Sequence, residues 1–337
     1  MVYVGIDLHK KTIVLCVVDQ QVVVQTRKTL SCAEPKKIVA FFRELGEFQA
    51  VVEATASYEW LWQLLDPLAR RLVLAHPKKL RIIAESRRKS DRIDAQVLAE
   101  YLARDEIPQA YRPTPRQRQH RVLVRHRCYV RRRAASTKVK IRRILADYNA
   151  DRAPLFSVEG RKYLSKVKLA VTDRFVIDQL QDELDHHLKQ LKSVDQQLVA
   201  FAKKASAAER EARASLGSVP SVGTVTVDVV LSELADVQRF PSAKDAVAYA
   251  GLAPGFRESA GKRRNLPISK EGSRLLRWAL VEAAWRLVRL SNKWRSVFEK
   301  LSQRRGKRKA IVAVARRLLT ILVAVWRSGS CYRPVTV

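Results

Sequence analysis

The 337-residue chain has only four cysteines, Cys16, Cys32, Cys128 and Cys331, and no two of them form a CxxC pair. That spacing speaks against a zinc knuckle, and a chain of this size does not need a disulfide framework. The six histidines offer no metal-ligand spacing; their one adjacent pair, His186-His187, reads as a solvated stretch of a charged helix. Long apolar runs are missing too. The most apolar late stretch, "AIVAVARRLLTILVAVW", is broken by Arg316-Arg317 and is too short on either side to span a bilayer. The first residues enter a strand with no signal-peptide pattern, so the expectation is a cytoplasmic protein without membrane contact. Absence of a glycine-rich phosphate loop argues against an actin-like ATPase, although the first strand reads Gly5-Ile6-Asp7.

Acid is also scarce. Against 65 Lys and Arg stand 33 Asp and Glu, a net charge of +32. A surface so basic repels itself unless a polyanion is near. DNA or RNA fits, because clustered cations release counterions from phosphates. Between Ile107 and Ala146 there are 13 Lys or Arg and no acid, a helical stretch whose Arg125, Arg131, Arg132, Arg133, Lys138 and Arg142 are candidate phosphate contacts. Hydrophobic content of 47 % is ordinary for a globular chain, and the length allows two or three domains.

Residues 2–7, 12–18 and 22–29 run apolar or alternate, which predicts three consecutive strands. A helix over about 35–45, a strand at 48–54, a helix over 57–69 capped by Ser57, a strand at 71–76 and a helix over 90–105 complete the unit. This order is that of an α/β RNase H-type domain, and the unit is expected over 1–108. A basic helix and coiled-coil region is expected over 109–213. It comprises a helix to about Tyr148 and a second over 174–213, whose Leu180, Leu184, Leu188, Leu191, Val194, Leu198 and Phe201 form a seam for an antiparallel hairpin. A mostly helical domain over 214–337 follows, with a loop rich in Gly and Arg at 251–272.

Four carboxylates fall at the ends of these elements. Asp7 ends the first strand, Glu53 the fourth, and Asp91 and Asp94 lie on one face of the helix that closes the domain. Each alone has a structural reading: Asp7 paired with Lys10 or Lys11, Glu53 supporting a turn, Asp91 favoured by the helix dipole, Asp94 exposed beside Arg92. Together, on neighbouring strands and a crossing helix, they would repel unless a hard cation such as Mg²⁺ compensates them. Two such ions suit in-line phosphoryl displacement. A second constellation is "FRESAGKRRNLPISKEG": Ser259 is followed by Ala260-Gly261 and flanked by Arg257, Lys262, Arg263 and Arg264. A serine among cations can attack a phosphodiester, or it can be one more donor gripping a phosphate. Ser269 reads as the N-cap of the long helix that follows. "LGSVPSVGTVTV" has the Pro-x-x-Gly turn of a helix-hairpin-helix or of a plain packing corner. Trp278, Trp285, Trp294 and Trp326 read as core, with Lys293 and Arg295 flanking Trp294.

The stretches "VGIDLHK", "VVEATASY", "KSDRIDAQVLA", "PSVGTVTV", "AYAGLAPGFRESAGKRR" with "ISKEGSRLLRWALVEAAW", and "GKRKAIVAVARRLL" resemble, in that order, the IS-one-ten family of insertion-sequence transposases, relatives of the Piv DNA invertases. The resemblance implies a RuvC-like DEDD domain, a coiled coil and a helical transposase domain that carries a serine. It places Asp7, Glu53, Asp91 and Asp94 in the DEDD set with Mg²⁺, and Ser259 as a nucleophile that forms a covalent phosphoserine with DNA. It further implies donor and target DNA as partners, a noncoding bridge RNA that pairs with both, and a homo-oligomer, a tetramer, in which the carboxylates of one protomer meet the serine of another. Ala260 stands where the family has a first Gly after the serine, and Ser221 where its Pro-Gly-Ile-Gly turn has Gly. The competing expectations are a hydrolytic RuvC-type junction nuclease and a non-catalytic nucleic-acid binder on the same scaffold.

Overall fold

The computed structural model describes residues 1–55, 57–83, 91–259 and 262–333; the side chains of 81–83, 91–93, 256–257, 259, 262–263 and 265 lie outside that description. The chain forms two compact units, Met1–Arg112 and Pro113–Val337.

In the first unit, strands β1 (Val2–Leu8), β2 (Thr12–Val18) and β3 (Val24–Ser31) form an antiparallel meander. Helix α1 (Pro35–Glu44) leads to β4 (Phe48–Glu53), and α2 (Glu59–Leu65) to β5 (Arg71–Ala75). Strands β4 and β5 are parallel to β1, so the sheet order is β3-β2-β1-β4-β5. The expected adjacency of first and fourth strands is present, and the mixed α/β sheet agrees with an RNase H-type domain. On one face Val4, Ile6, Ile13, Leu15, Phe48 and Val52 bury against Phe42 of α1 and Leu61 of α2, each full burial contributing about 1.5–3 kcal/mol. On the other face lies α4 (Asp91–Ala103), preceded by α3 (Pro77–Ile83), a short helix the sequence pattern did not suggest. Two details differ from expectation. Helix α2 begins after Tyr58 with no side-chain cap, so Ser57 is not its N-cap; its first turn is held instead by Glu59, which accepts from Arg112 Nη2 at 2.7 Å. Strand β3 begins at Val24 because Val22, at φ +63°, belongs to the turn.

In the second unit α5 (Pro115–Asp147) is capped by Thr114 in a reciprocal box with Gln117. It runs antiparallel to α7 (Val171–Lys203), with α6 (Val158–Lys166) at the far end. His120 stacks on Phe201, Arg127 meets Asp195, Arg133 meets Glu183 and Tyr148 meets Asp173, pairs whose order defines the hairpin. The second helix was expected to continue to 213; it stops at Lys203. Ser206 caps a new helix, α8 (Ala207–Gly217), by accepting from Glu209 N–H at 3.2 Å.

Helix α9 (Thr224–Leu234) is buried on all sides from Thr226 to Leu234. It packs against α5, α8 and α11 (Arg274–Leu290), and α10 (Ala243–Tyr249), α12 (Asn292–Arg305) and α13 (Lys307–Ser328) complete the same core. Ser221, in the turn before α9, has φ +75°, a conformation that favours glycine over the serine present. The stretch 251–272 was expected to be a loop; it contains a β-hairpin of β6 (Pro254–Ser259) and β7 (Lys262–Ile268).

Two acids of α9 are buried and compensated from neighbouring helices. Asp228 Oδ1 meets His120 Nε2 at 2.9 Å and accepts from Arg213 Nη1 at 2.8 Å; Glu233, 2 % exposed, accepts from both Arg125 Nε and Arg125 Nη2. Burial alone would raise the Asp228 carboxyl, but the bonds from His120 and Arg213 outweigh it and hold the carboxyl below its ordinary value. Glu209 is held low in the same way by Arg116 and Arg213. Groups with depressed native values stabilise fully above their unfolded values and lose that contribution as pH falls through the native ones. The second unit is therefore expected to melt at nearly constant temperature near neutrality and to weaken below about pH 4. At pH 7 Asp228→Asn, which takes a buried carboxylate from between Arg213 and His120, is expected to cost about 3 kcal/mol, or about 6–12 °C in the melting temperature of a unit this size. Thermal melts of the full chain at both pH values check this; an unchanged melt for Asp228→Asn would remove the network from the stability account.

Candidate active site and nucleic-acid interface

Alternation along β1 sends Val4, Ile6 and Leu8 into the core under α1 and α2 and leaves Gly5 and Asp7 on the α4 side. The β1–β4 register pairs Ile6 with Val52, so Asp7 is level with Glu53, one step beyond the last paired residues. Val51 also packs on the α4 side, with Leu98 and Leu102, so Glu53 shares the face of Asp7. Helix α4 crosses here with little clearance. A Cβ on Gly5 would stand 1.9 Å from Ala95 O and 2.5 Å from Ala99 N. Just past the other end of the helix Asp105 meets Arg71 at 2.9 Å, at the start of β5, whose register with β4 puts it level with Tyr3 of β1. The helix therefore runs against β1, and its first turn, with Asp91 and Asp94, lies toward the strand ends that carry Asp7 and Glu53.

The structure thus brings the positions of Asp7, Glu53, Asp91 and Asp94 to one end and one face of the sheet. Asp7 is 17 % exposed in its side chain, Glu53 is half-buried and Asp94 is exposed. The Asp91 side chain lies outside the described residues, and among the described ones no three His, Cys, Asp or Glu side chains form a ready-made metal cluster. A set of carboxylates at the ends of two interior strands is nonetheless the donor chemistry that a hard divalent ion takes. The sequence did not pair His9 with Asp7. His9 turns the chain with Lys10 and Lys11, its N–H donating to Thr12 O at 2.9 Å, and its Nε2 lies 3.1 Å from Asp7 Oδ2. The signal available was the i,i+2 spacing at a hairpin.

Ser259 ends β6 opposite Lys262, at the tip of the hairpin, and Arg257 pairs in register with Arg264. These four positions alternate onto one face of the ribbon, with Glu258 and Arg263 on the other. The side chains of Arg257, Ser259, Lys262 and Arg263 lie outside the described residues; Arg264 is exposed. Ser269, expected to cap the next helix, accepts from Glu271 N–H in a turn; the cap of α11 is Ser273, which accepts from Leu276 N–H at 3.2 Å.

Along α5 the candidate cations divide. Arg125 holds the buried Glu233, Arg133 meets Glu183 at 3.3 Å and Arg142 meets Asp151 at 2.7 Å. Arg131 lies over the Trp278 ring and Lys138 over Phe156, while Arg132 is exposed. Trp278 and Trp285, expected in the core, are instead 37 % and 36 % exposed; Trp294 and Trp326 do pack against it. A further basic surface lies at the α12–α13 corner, where Arg304, Arg305, Lys307, Arg308 and Lys309 are all exposed around Gly306. Its signal was legible: from Lys300 to the last residue there are ten Lys or Arg and no acid.

No helix among the described residues is long and apolar enough to cross a membrane, and all four cysteines are free. Residues 4–150 match the family model of the DEDD transposases of the IS110 type, and residues 213–299 match that of the transposase IS116/IS110/IS902 family. Relatives align along almost the whole chain. The transposase for insertion sequence element IS1111A of Coxiella burnetii is 27 % identical, covering 98 % of this chain and 90 % of the relative. A probable family 20 transposase of Pseudomonas aeruginosa is 25 % identical over 98 % of both, and the pilin gene-inverting protein of Moraxella lacunata is 25 % identical over 97 % of this chain and 96 % of its own. With both of its units matched to the two parts of one enzyme family, the chain belongs to the IS110 family of transposases, which act on DNA by phosphoryl transfer.

Proposed function

We propose that this transposase is an RNA-guided recombinase that excises and inserts its element through a covalent phosphoserine, with a RuvC-like first unit. The observation that carries the reading is the convergence of Asp7, Glu53 and the start of α4 at one end of the two interior strands β1 and β4, made possible by Gly5. Asp7, Glu53, Asp91 and Asp94 would hold Mg²⁺, which supplies a Lewis acid for the phosphate. His9, 3.1 Å from Asp7 Oδ2, orients that carboxylate.

Ser259, on the tip of a two-stranded arm, can reach into a groove that a helix surface cannot. Its Oγ gives up a proton and bonds to phosphorus; the phosphorus–sugar oxygen bond breaks, and that oxygen takes up a proton. The phosphodiester energy is kept in the Oγ–P bond, so a new strand end can reverse the step and be joined. Arg257, Lys262 and Arg264, on the register face of Ser259, supply positive charge where negative charge develops on the phosphate. Arg132 and the five cations of the α12–α13 corner grip backbone phosphates without reading sequence. Sequence choice falls to the bridge RNA, which pairs with donor and target DNA. The assembly is a tetramer in which the carboxylates of one protomer act with the serine of another. In support of a homo-oligomer, Leu188, Leu191 and Val199 line an open groove on α7 that a second copy's helix can fill.

The test is to combine protein, Mg²⁺, matched DNA and RNA from the flank of the element. Cutting is expected only with RNA present, and a changed guide segment is expected to move the cut to the newly matched DNA. Cutting at an unchanged place with any RNA, or with none, would contradict RNA guidance.

A further inference from the structure

The β6–β7 arm leaves the helical body after Leu252 and returns at Ser269. Two backbone bonds close its base: Ser269 N–H donates to Ala253 O and Lys270 N–H to Gly251 O, both at 3.1 Å. Just outside them the outgoing and returning segments cross almost in contact. A Cβ on Gly251 would stand 1.9 Å from Glu271 O, and one on Gly272 would stand 2.0 Å from Tyr249 O. Both glycines have positive φ, +69° and +74°, and Lys270 between them has +57°, so no regular structure supplies donors to the carbonyls of Ala250, Glu271 and Gly272.

Arg277, in the first turns of α11, reaches back to this crossing. Its Nη1 donates toward Ala250 O at 3.1 Å, Glu271 O at 2.7 Å and Gly272 O at 3.2 Å. One nitrogen thereby ties the end of α10, on the outgoing side, to the two residues on the returning side. Among the described residues no carboxylate offsets its charge. Burial and neighbouring Arg274 push its guanidinium below the ordinary value, an unfavourable setting that the three carbonyls compensate. A cation kept there without an acid has the geometry of a strut.

We propose that Arg277 is a positioning residue for Ser259: by clamping both ends of the arm to α11 it sets the angle at which the tip is presented to DNA. The proposal rests on Ser259 being the nucleophile. In a rigidly presented arm, a tilt at the base is multiplied along six or seven residues, and a 1 Å misplacement of a reacting atom costs about a hundredfold.

The experiment compares full-length wild type, Arg277→Gln, Arg277→Lys and Ser259→Ala for three readouts: amide hydrogen exchange, affinity for the matched DNA, and the single-turnover rate at which protein becomes covalently attached to DNA. For Arg277→Gln, exchange at Ser269 and Lys270 is expected to rise at least about tenfold while the buried middle of α11 keeps its protection. DNA affinity should stay within about twofold, and adduct formation should slow by about 10–100-fold. Arg277→Lys, with a compact head that cannot span the three carbonyls, should fall between the two. Unchanged exchange at Ser269 and Lys270 would overturn the clamp. Raised exchange with a wild-type adduct rate would overturn the positioning role. Protection lost throughout α11, with affinity and adduct falling together in both variants, would make Arg277 a general stability residue and overturn it as well. Absence of any adduct in wild type would instead sink the serine reading, and the positioning role with it, whatever the exchange shows.

Discussion

Asp7→Asn is expected to abolish strand cleavage, by about a thousandfold or more, while DNA binding stays within about twofold. The substitution keeps size and removes one charge, so β1 and its pairing with Val14 should persist. What is lost is a hard oxygen donor at the place where Glu53 and the start of α4 meet it. An ion held by such a set supplies several kcal/mol of charge stabilisation, and about 4 kcal/mol corresponds to a thousandfold in rate. Binding should hardly change because the exposed cations lie elsewhere, on Arg132, Arg264 and the α12–α13 corner. Asp19→Asn is the matched control. Asp19 accepts from Gln21 N–H and Val23 N–H at 2.9 Å in a turn, so its loss should leave cleavage near wild type. Single-turnover cleavage beside a binding titration separates the two effects. Equal losses for Asp7→Asn and Asp19→Asn would mean that general charge, and not the strand-end site, had been measured.

Gly5→Ala should be nearly as damaging, through packing. The added methyl would be 1.9 Å from a backbone oxygen of α4 and 2.5 Å from a backbone nitrogen, and neither can swing aside as a side chain end could. Either α4 lifts from the sheet or β1 bends. Overpacking of this kind costs about 3 kcal/mol, which in a unit of 112 residues lowers the melting temperature by about 12–24 °C. Cleavage should fall with it, even at temperatures where the unit is folded, because the first turn of α4 no longer lies over Asp7 and Glu53. Gly217→Ala, at a glycine with nothing within 4 Å, should be close to neutral. A Gly5→Ala protein that melts and cleaves like wild type would show that the close crossing is not needed.

The strands of the first unit were readable to within a residue or two because alternation and Val/Ile content carry the period directly, as in "VVVQTRKTL" and "TIVLCVV". The carboxylate positions were readable for the same reason: each sits where an apolar strand stops or a helix starts. Helix α3 was not, since "PKKLRII" is too short to establish a period. The β6–β7 arm was hidden by its composition. Arg, Lys and Gly usually mark a solvated loop, and nothing local in "FRESAGKRRN" outweighs that. The break between α7 and α8 had a signal, Ser206 three residues before Glu209, which a continuous apolar seam masked. Asp228 and Glu233 look like the polar face of α9, yet α9 is central and has no such face; their partners His120, Arg213 and Arg125 lie far away in sequence. Long-range pairing of this kind leaves no local trace. The same blindness made Arg125 and Arg133 look free for phosphate when each already faces a carboxylate.

The most direct measurement of the proposed chemistry is a denaturing gel of labelled DNA after reaction with wild type, Ser259→Ala and Asp7→Asn in the presence of RNA and Mg²⁺. Wild type should leave part of the label attached to protein, and both variants should leave none. Efficient cutting with no adduct in wild type, retained by Ser259→Ala and lost only in Asp7→Asn, would contradict the phosphoserine and identify a hydrolytic nuclease in which water attacks.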